Sequence, residues 1–256
     1  MIDPFLRHPL IRGLDLDDPR TTHLRREIIQ SKPLLKSIYK EWYTQIAAVI
    51  PEGSGDVLEI GSGAGFFNEY IDGLITSDTF PLPWLSLMMD AQTLPIRDQS
   101  LRAVVMFNVL HHIKNVDRFF QEASRCVQPS GVIAMIEPWR TRWSNFVYSN
   151  LHHEPFDADV EEWEIDSSGS LSGANGALPW IVFSRDREIF ERKFSDWKIV
   201  QIKLDMPLVY LASGGVSRRS LFPGMSYPFW RLTEKILRPW MDFLGMFALI
   251  VLEKQS

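Results

Sequence analysis

The chemistry-bearing residues of this chain collect where short apolar runs give way to carboxylates, glycines, an amide and imidazoles. Asp56-Val57-Leu58-Glu59-Ile60 runs directly into Gly61-Ser62-Gly63-Ala64-Gly65. Glycine lacks a Cβ, so a loop of this kind can turn sharply, take positive φ and bring backbone N–H groups close to a bound molecule. Glu59 adds an acceptor where strand becomes loop. An ordinary tight turn between strand and helix is the plainer reading of the same residues. Three more polar groups end apolar runs in the same manner: Asp78, Asp90 and Asn108. A carboxylate at the C-terminal end of a strand can accept two hydrogen bonds from a ribose diol, which is the logic of nucleotide-binding α/β folds. For Asp78 the alternative is a solvated side chain capping a turn.

Two histidine pairs follow. His111-His112 lies just beyond Asn108, and His152-His153-Glu154-Pro155 with Asp157 lies in a stretch without regular period. Imidazole titrates near neutrality and suits the removal of a proton from an acceptor hydroxyl or acid. His111, His112, His152 and His153 are the candidate bases; His153, His112 and Tyr148 are the residues to which a catalytic role is assigned. A lid tied by local hydrogen bonds is the competing account of residues 152–157. Neighbouring histidines seldom present both rings to one ion, and no cysteine or helical histidine spacing accompanies them, so no metal site is expected. Tyr148, Trp139, Trp143, Trp163, Trp180 and Tyr210 can wall an apolar pocket or pack a core. Arg140 and Arg142 can grip an anionic acceptor or form a solvated loop face.

The elements that must hold these groups are legible in the hydrophobic pattern. Residues 21–50 carry apolar side chains at three- and four-residue spacings, interrupted at Pro33, which predicts two helices with a buried face. Strands are expected at 56–60, 74–78, 84–89, 101–107 and 132–136. A short helix should cover 66–71 and a longer one 117–127. Ser184 offers an N-cap for a helix over 186–194, followed by a strand over 197–204, a helix over 227–237 and a last strand over 247–252. Strands alternating with helices imply a doubly wound, mainly parallel α/β sheet of Rossmann-like form. An N-terminal helical cover (residues 1–50) precedes the core (51–256), and segments at about 139–180 and 207–240 are expected to insert as a substrate lid.

Composition narrows the partners. The 256 residues suffice for a sizeable core, and 27 basic against 32 acidic side chains exclude a general electrostatic grip on nucleic acid. The single cysteine, Cys126, falls in an apolar stretch and suits a reducing compartment. The longest apolar run, residues 243–252, is too short to span a bilayer. A cytoplasmic monomer or homodimer without a membrane span is expected.

Taken together, the motifs resemble those of the class I S-adenosylmethionine-dependent methyltransferases, in particular the large group acting on small molecules. Glu59-Ile60-Gly61-Ser62-Gly63-Ala64-Gly65 is similar to the family's acidic residue followed by Gly-x-Gly-x-Gly, and differs from the Gly-x-Gly-x-x-Gly of nicotinamide dehydrogenases. Asp90-Ala91-Gln92-Thr93-Leu94-Pro95 resembles the segment that reaches the adenine amino group. Asn108-Val109-Leu110-His111-His112-Ile113 resembles the strand exit beside the methionine part of the cofactor, and Gln128-Pro129-Ser130-Gly131 the family's Lys-Pro-Gly-Gly turn. The resemblance covers about residues 55–138 and implies a seven-stranded sheet with an antiparallel last strand. It implies S-adenosyl-L-methionine as cofactor, held by Glu59, Gly61, Ser62, Gly63, Gly65, Asp78, Asp90, Ala91, Asn108 and Val109. The function it implies is methyl transfer to oxygen, nitrogen or carbon of a small-molecule acceptor. A cofactor-binding protein without turnover and a methyltransferase for RNA or protein are the alternatives.

Overall fold

The computed structural model describes residues 8–11, 14, 17–151, 154–165 and 173–255. Its centre is a seven-stranded sheet in the order β3-β2-β1-β4-β5-β7-β6. The strands are β1 (Asp56–Ile60), β2 (Ile75–Asp78), β3 (Leu87–Met88), β4 (Leu101–Phe107), β5 (Val127–Pro138), β6 (Trp197–Asp205) and β7 (Phe247–Lys254). The ladders among β1 to β5 are all parallel, whereas β7 runs antiparallel to both β5 and β6. The expected antiparallel last strand is therefore present.

Period-two alternation sends side chains of each central strand to opposite faces. Leu58, Val104, Met106, Ile133 and Met135 join one cluster, whose helical layer is α3 (Val116–Cys126) with Phe119 and Phe120. Val57, Ala103, Val105, Ala134 and Ile136 join the other, against Trp42 and Tyr43 of α2 (Pro33–Ala47). Preceding it, α1 (Pro19–Ser31) starts at Asp18, whose carboxylate accepts from Arg20 N, with proline at the first helical position. In α3 the Asn115 amide oxygen accepts from Arg118 N at 2.9 Å and fixes where that helix begins. Pro33 divides the two N-terminal helices as its missing N–H requires.

Several local expectations need correction. The chain after the glycine loop makes only a 3-10 turn at Phe67–Glu69, because Asp72-Gly73 turns it away at once. The third strand is confined to Leu87–Met88, because the chain just before it turns, with Leu85 N donating to Leu82 O at 3.2 Å. Strand β5 begins at Val127, and its register slips against β4 between Leu101 and Ala103. Ser184 is no N-cap: it lies inside a π turn, Ile181–Arg185, that continues α5 (Leu178–Trp180) and ends with Asp186 N donating to Ile181 O at 2.8 Å. Helix α6 (Arg187–Lys193) starts beyond it.

The segment expected to be irregular after Trp139 contains a regular helix, α4 (Arg142–Leu151). Helices α7 (Val209–Ser213), α8 (Tyr227–Ile236) and α9 (Met241–Leu244) lie between the last two strands. Cys126 is buried in the core, as expected of it. Among the described residues no helix is long and apolar enough to cross a membrane.

Candidate active site

The C-terminal ends of β1, β2 and β4 open into a cavity of about 830 Å³. Gly61, Gly63, Asp78, Asp90, Ala91, Asn108, Val109, His112 and Tyr148 all line it. This is where an open α/β sheet binds ligands, since strand ends, loops and helix starts converge there.

The glycine loop is folded by its own contacts. Ser62 N donates to Ser77 O at 2.8 Å, and Ser77 N returns a bond to Ser62 Oγ at 3.1 Å, clamping the loop to β2. Ser62 is buried by this work and does not reach the cavity wall. Gly61 has φ +66°, and a Cβ there would lie 2.5 Å from Val109 Cγ2. Gly63 has φ +39°; a Cβ there would lie 3.4 Å from Asp78 Oδ2, inside the cavity. The loop thus leaves a cradle that a side chain would fill. Gly65 N turns inward to Ser62 O at 2.7 Å, away from a ligand.

Glu59 stands behind the loop. It is 2 % exposed and absent from the lining, and burial pushes its carboxyl up to about 7. Asp78 reaches the cavity, with Oδ2 accepting from Gly63 N at 2.9 Å and Oδ1 from Phe80 N at 3.1 Å. Burial raises its pKa against those two bonds. Asp90 is exposed, held by the Gln92 backbone N–H at 2.9 Å. Asn108 takes φ +59°, a left-handed conformation that asparagine tolerates better than most residues. Its N–H donates to Ile136 O at 2.8 Å, so the strand exit is fixed where strain points it at the cavity.

The N-terminal helix closes the other side, a contribution not anticipated from the sequence. Thr21, Thr22, Arg25 and Ile29 of α1 line the cavity, and Thr22 Oγ1 and Arg25 Nε are buried without a hydrogen-bond partner among the described residues. Arg26 donates to Gly65 O and stacks over Trp84 at 4.8 Å, while Trp84 Nε1 donates to Gly63 O at 2.9 Å. The only signal of this in the sequence is the run of polar residues inside the buried stripe of α1.

The histidine pair sits at the cavity end nearest β5. His111 Nδ1 lies 2.6 Å from Glu137 Oε2, and Glu137 Oε1 accepts from Val109 N and Leu110 N at 2.8 Å each. His111 Nε2 is 3.8 Å from Glu154 Oε2. Burial lowers the His111 pKa, but Glu137 and Glu154 overcome it and carry the ring up to about 9, so it is a cation at neutral pH. His112, with Nδ1 3.3 Å from Gly173 O, is driven down to about 3 by burial and by its charged neighbour, and stays neutral. The two residues of one dipeptide thus hold different charge states. Because the folded pKa of His111 lies above its ordinary 6.5, its stabilisation is complete below 6.5 and is lost as pH rises through about 9. The stability gap between the wild type and His111→Gln should therefore shrink over that window, as urea unfolding across pH would register; a gap that widened would oppose this assignment.

Tyr148 lines the same end, but its hydroxyl donates to Met246 O at 2.7 Å and burial pushes its pKa well above the ordinary value. It serves as a fixed wall, stacked on Phe156 at 4.7 Å. Tyr210 lines the cavity too. Trp139 and Trp163 are buried in the core, Trp143 bonds Pro207 O, and neither Arg140 nor Arg142 lines the cavity; they stack over Trp180 and Phe243. His152 and His153 lie outside the described residues.

Residues 58–135 match the model of a family described as a methyltransferase domain. The chain thus carries a methyltransferase domain of the S-adenosylmethionine-dependent type. The fold of this methyltransferase is similar to that of the enzyme in a complex with the Haloferax volcanii Trm112 methyltransferase activator, at 13% identity over 95% of this chain and 99% of that one, TM-score 0.52. It is likewise similar to an S-adenosylmethionine-dependent methyltransferase from Thermotoga maritima, at 14% identity over 91% and 99% of the two chains, TM-score 0.53. No curated protein matches it. The cofactor of this methyltransferase is S-adenosyl-L-methionine, and the residues fit it: the Gly63 cradle and the Asp78 carboxylate face one cavity, which Thr22 and Arg25 also line.

Proposed function

We propose that this enzyme methylates a small-molecule acceptor seated between the cofactor loop and the His111–His112–Glu154 cluster. The observation that carries the reading is the single cavity shared by the loop, Asp78, Asn108 and that cluster. When bound, S-adenosylmethionine supplies a methyl group already activated on a sulfonium, so the protein has mainly to position two reactants. Gly61 and Gly63 would hold the amino-acid end, Asp78 the ribose, Asp90 and Ala91 the adenine, and Asn108 and Val109 the methionine part. Glu59, Ser62 and Gly65 would support the loop from behind.

On the acceptor side, residues of 139–180 and 207–240 contribute Tyr148, Glu154, Phe156, Tyr210 and Arg218 to the lining, which supports reading those segments as a substrate lid. Helices α1 and α2 act as the N-terminal cover. The cationic His111, fixed from behind by Glu137, orients the acceptor together with Glu154. Neutral His112 is free to take a proton. Although burial makes it a weak base, the proton on the acceptor atom becomes far more acidic as the new bond to carbon forms, so a weak base suffices late in the transfer. His153, next to Glu154 in sequence, is the other candidate for that role, and Tyr148 shapes the pocket.

His112→Gln should lower turnover by about 10²-fold while leaving S-adenosylmethionine affinity within a factor of about two. Turnover with the wild-type rate would remove His112 from the chemistry. The acceptor class is tested by incubating the enzyme with methyl-labelled S-adenosylmethionine and fractionated cell extract. Label in a low-mass fraction resistant to ribonuclease and protease is the expected result; label confined to RNA or protein would contradict the small-molecule reading.

A further inference from the structure

Helix α8 is built with its polarity inverted. A surface helix ordinarily turns apolar side chains to the core and charged ones to water. Here the inward face carries Arg231 and Glu234 beside the half-buried Tyr227 and Trp230, and Glu234 is 1% exposed. Arg231 Nε donates to Glu41 Oε2 at 2.9 Å, and its two terminal nitrogens reach Asp205 at 3.0 and 2.8 Å. Glu234 Oε1 accepts from Leu208 N at 2.8 Å and Val209 N at 2.7 Å. This ion-pair network pins the helix in one orientation, since burying any member alone would be costly.

The outward face carries Phe229, Leu232 and Ile236, each 60% exposed or more. Leu221, Phe222 and Met225 precede it and Trp240 and Phe243 follow it, all exposed. Helix α4 continues the surface: Arg142 lies over the Phe243 ring at 5.9 Å, and Phe146, one turn further along α4, is also exposed. So large a concentration of exposed aromatic and aliphatic side chains is foreign to a surface designed for water alone.

Charge identifies what it meets. The chain as a whole carries a formal net charge of −5, yet Arg142, Arg219, Lys235 and Arg238 are exposed around this patch, with Asp242 as the exposed acid within the 219–243 segment. Leucine, phenylalanine and tryptophan framed by long cationic side chains is the composition of a segment that lies in a membrane interface, with apolar groups in the acyl boundary and amino or guanidinium heads among phosphates. A second copy would face this surface with the same excess of positive charge, which opposes self-association.

We propose that this face, formed by α8, α9, the loop before α8 and the exposed edge of α4, docks the enzyme on an anionic lipid bilayer. The cavity opens beside it. Leu151 at the end of α4 both lines the cavity and is exposed, and Arg218 of the cavity rim donates to Leu151 O at 2.5 Å. The docking itself is independent of the acceptor assigned above.

The test is flotation of the full-length chain with vesicles of phosphatidylcholine alone or mixed with phosphatidylglycerol, compared with the double variant Leu232→Glu/Ile236→Glu. The wild type should float with the anionic vesicles, less so at raised salt. The double variant should lose about tenfold or more of its bound fraction. Its calorimetric affinity for S-adenosylmethionine should be unchanged, showing that it is folded. A wild type that floats with neither vesicle would overturn the proposal. So would a double variant that floats as well as the wild type, or a wild-type dimer in sedimentation velocity that the double variant abolishes without any vesicle binding.

Discussion

Gly63→Val should abolish S-adenosylmethionine binding, lowering affinity by more than about a hundredfold, while the domain still folds. Valine at φ +39° is strained, which costs about 1–2 kcal/mol of stability, well within what a domain of ordinary stability tolerates. The more damaging effect is spatial. The new Cβ projects to within 3.4 Å of Asp78 Oδ2, so the branched methyls occupy the space where loop, carboxylate and cofactor must meet. The neighbouring Gly61 differs: there a Cβ would strike Val109 rather than the cavity, and damage would spread into the strand exit held by Glu137. Calorimetric titration with urea unfolding of the same sample separates the two quantities for Gly63→Val. Retained affinity would refute the cradle.

Glu137→Ala should be the most destabilising single change in the site, at about 3–5 kcal/mol. One fully buried carboxylate satisfies the N–H groups of Val109 and Leu110 and holds the His111 ring. Removing it leaves two buried donors and a buried cation without their partner. Glu137→Gln retains an acceptor for the two N–H groups and should cost markedly less, while letting the His111 pKa fall back from about 9. A urea midpoint for Glu137→Ala close to that of the wild type would show that the pairing contributes little.

Which parts of this architecture could be read from sequence follows from how local their causes are. The β1 run, the glycine spacing and the carboxylates at the end of β2 and just after β3 announce themselves within a few residues, and they line or support the part of the cavity proposed for the cofactor. The position of Glu59 and Ser62 behind the loop, rather than on the cavity wall, depends on β2 being clamped by Ser77, fifteen residues beyond Ser62. The contribution of α1 was illegible for the same reason: Arg26 and Trp84 meet only in the folded chain. Pairing of His111 with Glu137 spans twenty-six residues and two strands, and nothing in either short motif predicts it. Helix α4 escaped because its apolar positions are mixed with serine and asparagine, and the inverted pattern of α8 is read as helix from spacing alone, with no indication of which face is buried.

The central claim is that the cavity at the ends of β1, β2 and β4 holds S-adenosylmethionine. Titration of the purified wild-type chain with S-adenosylmethionine in a calorimeter tests it most directly. Saturable binding of one cofactor per chain, abolished in Gly63→Val, is the predicted result. A folded wild-type chain that takes up no S-adenosylmethionine would contradict it.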